Sequence, residues 1–173
     1  MRYLAADYGE KRCGFAVSDA EGRGAFPRPA LAVRGRKHFL AATAALALEE
    51  DAGAVVLGLP LRLDGGENAG AARLRALGVS LARRTGLPLY LMPEALSSCD
   101  AEERLREAGK RGKKLKDALD GAAAAAILES FLNLPENRRL LLMLPEAETC
   151  RDCCGENFAL IFNDKMRKQS DNL

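Results

Sequence analysis

The chain of 173 residues contains a single histidine, His38, and that scarcity sets the first bound. One histidine excludes a histidine-rich metal centre and leaves a single candidate for a histidine-based triad, so acid–base or metal chemistry is expected to rest on carboxylates. Long apolar runs are missing too. No stretch approaches the ~18–20 residues that a membrane-spanning helix requires. Asp7 interrupts the N-terminal segment too early for a secretory signal, so the expectation is a cytoplasmic protein with no membrane partner. The five cysteines (Cys13, Cys99, Cys150, Cys153 and Cys154) are an odd number, which argues against a disulfide framework. No internal repeat is evident, and the one nucleotide-binding alternative with a related strand order, the actin or sugar-kinase type, is disfavoured because only one such lobe fits this length and the phosphate-loop pattern GxxxxGK[ST] is absent.

What remains is an ordinary globular composition, 48% hydrophobic and 29% charged, at a length suited to one core. The net charge of +2 does not demand a nucleic-acid partner. Its distribution is more informative. Lysine and arginine cluster at Arg34-Gly35-Arg36-Lys37, at Arg83-Arg84 and, most densely, at Lys110-Arg111-Gly112-Lys113-Lys114-Leu115-Lys116. Each cluster reads equally as a solvated face. The flanking glycines make the last one a loop that would wrap a phosphate backbone.

Along the chain, Leu4–Asp7 and Gly14–Ser18 read as short strands joined by the turn Gly9-Glu10-Lys11-Arg12, a β-hairpin. Pro29–Val33 is a candidate third strand. Lys37–Asp51 has helical period, and Ala54–Leu59 is a continuous apolar run expected of a strand covered on both faces. A glycine-containing loop over 60–70 leads to a helix over about 71–85. Leu87–Met92 is the next buried strand, and two more helices are expected over about 99–108 and 117–132. The order predicts one mixed sheet, antiparallel first and parallel afterwards, with helices on its faces and right-handed crossovers. Composition shifts near Pro145. The three tail cysteines include CxxC spacing, but a closed zinc site would need a fourth ligand from elsewhere, so the segment reads as a tail outside the core.

Three carboxylates stand out by position. Asp7 ends an apolar strand, on the face shared by Tyr3 and Ala5, and serves equally well as a cap of the hairpin turn. Glu94 comes just after the strand Leu87–Met92, where open α/β sheets carry functional groups, though an ordinary loop glutamate would read the same. Asp120 projects on the apolar face formed by Ala124, Ile127, Leu128 and Phe131; Asp117 does so nearly as well, and helical period does not choose between them. An aspartate favoured by the helix dipole is the structural alternative. Carboxylates converging from separate elements suit the hard cations Mg²⁺ and Mn²⁺, which serve phosphodiester hydrolysis.

The stretch Leu4-Ala5-Ala6-Asp7-Tyr8-Gly9-Glu10-Lys11-Arg12-Cys13-Gly14-Phe15-Ala16-Val17-Ser18-Asp19 resembles the opening signature of the YqgF/RuvX family of Holliday-junction resolvases and pre-ribosomal-RNA nucleases. Val55-Val56-Leu57-Gly58-Leu59-Pro60-Leu61-Arg62-Leu63-Asp64-Gly65 resembles its second signature and Asp120–Leu132 its last helix. The resemblance covers most of residues 1–133, in order. It implies a ribonuclease-H-like α/β fold with a mixed five-stranded sheet and helices on both faces, over 1–134, with 135–173 as an extension. It further implies Mg²⁺ or Mn²⁺ held by Asp7, Glu94 and Asp120, the last now chosen over Asp117. The implied substrate is structured nucleic acid, a four-way junction or pre-16S rRNA, held by Lys11, Arg12, Lys110, Arg111, Lys113, Lys114 and Lys116. Monomer and homodimer both remain open. The family's usual Asp-Glu-Arg followed by Leu and two hydroxyl residues is here Pro93-Glu94-Ala95-Leu96-Ser97-Ser98. An arginine at that place binds phosphate or developing charge. The second expectation is therefore a catalytically weakened nucleic-acid-binding protein on the same fold.

Overall fold

The computed structural model describes residues 1–60, 69–94 and 112–143. Its elements are β1 (Tyr3–Tyr8), β2 (Arg12–Ser18), β3 (Ala25–Ala32), α1 (Arg36–Glu49), β4 (Ala54–Pro60), α2 (Ala69–Thr85), β5 (Leu89–Glu94), α3 (Gly112–Leu132), a 3₁₀ turn (Glu136–Arg138) and β6 (Leu140–Met143). One sheet holds all the strands in the order β3-β2-β1-β4-β5-β6. β1, β2 and β3 pair antiparallel, whereas β1, β4 and β5 are parallel. This is the mixed sheet, antiparallel first and parallel afterwards, that the alternation of elements predicts, and it agrees with the ribonuclease-H-like fold that the resemblance implies. No described helix is long and apolar enough to cross a membrane.

The strand count is corrected from five to six among the described residues. β6 pairs antiparallel with β5, with Tyr90 opposite Leu141. Four residues beside a composition shift carry too little pattern to announce a strand, and here tertiary contacts supply the stability that periodicity does not show. Gly78 of α2 lies so close that a Cβ there would be 2.7 Å from the Leu142 side chain. Arg139 ties the same segment to α3. Its guanidinium donates to the carbonyls of Leu132 and Leu134 at the helix end and to the Tyr3 hydroxyl, and lies 4.8 Å from the centroid of the Phe131 ring. A cation suits the negative end of a helix and the face of an aromatic ring alike.

Strand alternation sorts the core into two layers. Leu4, Ala6, Cys13, Phe15, Val55, Leu57 and Leu59 face α1 and α2, where Phe39, Leu74, Leu77 and Leu81 are buried against them. Tyr3, Ala5, Ala16, Ala54 and Val56 face α3 and meet Ala124, Ile127, Leu128 and Phe131. The second layer is rich in small side chains on both sides, so α3 lies close to the sheet. β3 begins earlier than Pro29. Pro27 and Pro29 have no N–H for a ladder, and an edge strand with one neighbour tolerates that.

A second correction concerns the basic segment. The backbone from Gly112 onward is helical, so Lys113, Lys114 and Lys116 belong to the first turns of α3 rather than to a loop. Glycine at position 112 starts the helix instead of breaking it, and lysine is a good helix former. Lys110, Arg111, the helix expected over 99–108 and the cysteines after residue 143 lie outside the described residues.

Candidate active site

Asp7 sits on the penultimate residue of β1, and its cross-strand partner on β2 is Gly14. Alternation turns Arg12, Gly14 and Ala16 toward α3, on the same face as Ala5 and Asp7. The glycine matters for space rather than for backbone freedom. A Cβ at Gly14 would lie 1.8 Å from the main-chain carbonyl oxygen of Asp120. α3 therefore touches the sheet at Gly14, and that contact sets Asp120 beside Asp7. Asp120 is about two turns inside α3, too far from its start to act through the helix dipole.

The electrostatics record the proximity. Asp7 is held above the ordinary carboxylate range, first by burial and then by the negative charge of Asp120. Arg12 donates from Nε to Oδ2 of Asp120 at 2.5 Å, a pair with 28% and 29% of its side chains exposed. Cys13 points into the opposite layer. Burial pushes its thiol up, with Asp7 and Asp120 acting in the same direction, which disfavours the thiolate there.

Glu94 is the last residue of β5, opposite Pro60 at the end of β4. Because β1, β4 and β5 run parallel, Asp7 and Glu94 stand at the same, carboxyl end of the sheet. In register, Ala6, Leu57 and Leu91 are level, which puts the Glu94 backbone two strands from Asp7. Asp7 and Asp120 are thus brought together with Arg12, and the chain position of Glu94 lies on their edge. Among the described residues no group of three acidic, cysteine or histidine side chains forms a metal cluster. Two carboxylates whose charges oppose each other in a half-buried place nevertheless fit a hard divalent cation, which prefers oxygen donors and relieves that repulsion. Around the same edge, on the α1 and α2 side, an open cleft of about 510 Å³ is lined by Tyr8, Glu10, Arg36, Arg73 and Leu77. Lys11, in the β1–β2 turn, is exposed.

Two features of the site leave little trace in the sequence. Gly14 is legible there only as a glycine inside a strand, a pattern that signals close approach of another backbone without saying which. The pairing of Arg12 with Asp120 spans 108 positions and has no local signal.

A mixed sheet of this strand order, carrying an aspartate on its first strand and another on the last helix packed over it, defines a ribonuclease-H-like nuclease fold. The sequence profile described as RuvX: Holliday junction resolvase matches residues 1–134, and the chain belongs to that family. A protein of Nitratidesulfovibrio vulgaris (strain DSM 19637 / Miyazaki F), named "Putative pre-16S rRNA nuclease", is 50% identical over 139 residues, which cover 80% of this chain and 98% of that protein. A protein of the same name from Anaeromyxobacter sp. (strain Fw109-5) is 44% identical over 133 residues, 77% of this chain and 97% of its own. Among solved structures, Thermus thermophilus RuvC aligns at 16% identity with a TM-score of 0.49, over 82% of this chain and 99% of that one.

Proposed function

We propose that the chain is a divalent-cation-dependent nuclease that cleaves phosphodiester bonds in structured nucleic acid. The observation that carries the reading is the approach of Asp120 to Asp7 across Gly14. Asp7 and Asp120, joined by Glu94 from the end of β5, would hold Mg²⁺ or Mn²⁺. Such ions supply an activated water and neutralise charge on the attacked phosphate. The chain's own groups do the rest. Asp7 must be ionised to bind a cation, and because burial and Asp120 raise its proton affinity, cation binding strengthens as pH rises through that raised value. Lys11 and Arg12 flank the carboxylates from the hairpin. Lys113, Lys114 and Lys116 in the first turns of α3, with Lys110 and Arg111 just before them in the chain, would hold the substrate backbone. The replacement of the family's arginine by Ala95 removes one phosphate-binding group from this site. Arg36 and Arg73, in the cleft at the same edge, offer cationic surface there.

The substrate is proposed to be a four-way DNA junction or precursor 16S ribosomal RNA, in keeping with the family description and the relatives' name. Purified protein with Mn²⁺ is to be incubated with each, beside Asp7→Asn. Cleavage of either by the wild type and by none of the mutant supports the reading. A mutant as active as the wild type refutes it. Binding of both nucleic acids without cleavage at any pH from ~6 to ~9 would favour the weakened, binding-only protein that Pro93 and Ala95 suggest.

A further inference from the structure

Asp120 is claimed by two partners. Its Oδ2 accepts the Arg12 Nε–H at 2.5 Å, and the same carboxylate is one that a cation at this site would take. We propose that Arg12 is an exchange residue, which competes with the divalent cation for Asp120 and, once displaced, takes a phosphate oxygen of the substrate strand. The proposal rests on the cation-binding reading of Asp7 and Asp120 given above.

Three observations support it. The Arg12 backbone is fixed by the hairpin and the sheet. The Arg12 carbonyl accepts from Gly9 N at 2.9 Å, the neighbouring Lys11 carbonyl accepts from Val33 N at 2.9 Å, and Arg12 pairs with Ala32 in the ladder. The Arg12 side chain, by contrast, is 28% exposed at the rim and belongs to neither buried core layer. Charge supplies the exchange. Arg12 compensates the Asp120 carboxylate, which opposes the charge on Asp7. A divalent cation compensates both carboxylates at once and repels the guanidinium. The displaced group is then a planar fork of N–H donors beside the catalytic edge, a shape matched to phosphate oxygens. Cation binding would thus arm the phosphate contact, and the substrate would be gripped only by protein already loaded.

A plain structural ion pair makes different predictions, and two measurements separate them. The first is Mn²⁺ titration calorimetry of the full chain as wild type, Arg12→Gln and Asp7→Asn. Losing a competitor worth a partly exposed ion pair should tighten Mn²⁺ binding in Arg12→Gln about fivefold. The melting temperature should hold, because the pair is at the rim. Binding of that variant to a labelled four-way DNA junction, with Ca²⁺ replacing Mn²⁺ to withhold cleavage, should weaken. Its log–log salt slope should flatten by about 0.9, the loss of one phosphate contact. Opposite signs for the two ligands are the signature. Equal or weaker Mn²⁺ binding in folded Arg12→Gln overturns the proposal. The second measurement needs no variant: in ¹⁵N-labelled wild type, saturating Mg²⁺ should shift the Arg12 Nε–H resonance as it leaves Asp120. Shifts at the amides of Asp7 and Asp120 with none at Arg12 Nε would sink the exchange and leave the cation site standing. No shift anywhere, with Mn²⁺ binding no better to wild type than to Asp7→Asn, would sink both.

Discussion

Replacing Gly14 by alanine tests the geometry on which the site depends. The added Cβ would stand 1.8 Å from the Asp120 carbonyl oxygen, 2.5 Å from its carbonyl carbon and 3.2 Å from its Cα. These are backbone atoms of a helix, so no side chain can swing aside. Ordinary contact lies near ~3.5 Å, so α3 and β2 must part by more than ~1 Å at this point. Overpacking of this kind costs about 1–3 kcal/mol, and a backbone-to-backbone clash belongs at the upper end. For a domain of this size that is a fall of roughly 6–12 °C in melting temperature. The displaced element carries Asp120, and a shift of ~1 Å in a reacting constellation costs on the order of 100-fold in rate. The expected result is a folded but weakened protein whose Mn²⁺ affinity and cleavage rate drop together. Gly24→Ala is the control, because its new Cβ would meet chiefly the ring of Phe26, a side chain at the exposed edge strand. Calorimetry and a junction-cleavage assay on both variants decide. A Gly14→Ala protein with unchanged melting temperature and unchanged Mn²⁺ affinity would refute the claim that Gly14 seats Asp120 beside Asp7.

The same contacts set other outcomes. Asp7→Asn should lose cation binding yet melt higher than wild type at neutral pH. The folded state raises the Asp7 proton affinity, so ionised Asp7 costs stability as pH climbs above 3.8 toward the raised value; the mutant's advantage should be full above that value and vanish below the unfolded one. Melting curves from pH ~3 to ~8 check the sign. A chain ending after Met143 should melt within a few degrees of the full protein, whereas one ending after Leu134 loses β6 and Arg139 and should melt roughly 5–10 °C lower, an effect of about 2 kcal/mol or more. Replacing Lys113, Lys114 and Lys116 by alanine should leave the helix intact, since alanine favours it, and should flatten the salt dependence of junction binding by about two to three log–log units. Identical slopes would move the phosphate path to Arg36 and Arg73.

Much of this was determined by the sequence alone. Apolar alternation at 4–7 and 14–18, the unbroken runs at 54–59 and 87–92 and the helical faces between them placed four strands and the parallel half of the sheet, because strand and helix periods are local properties of side-chain direction. Asp7 was legible for the same reason: a carboxylate on the buried side of a strand is locally anomalous. By helical period Asp120 was one of two candidates, since period alone cannot separate positions three residues apart on one face; the resemblance of Asp120–Leu132 to the family's last helix chose it. Tertiary structure decided the features that depend on distant parts of the chain. β6 exists because Arg139 finds the end of α3 and Gly78 leaves room for Leu142. The start of α3 absorbed lysines that their glycine neighbours had marked as a loop, because a helix boundary depends on the packing of the whole helix as much as on the residues that flank it. The site itself is a contact between positions 7, 12, 14 and 120. No local rule reaches across a hundred residues; only the packing of a small-residue helix face onto a glycine in β2 brings an arginine and two opposed carboxylates to one edge of the sheet.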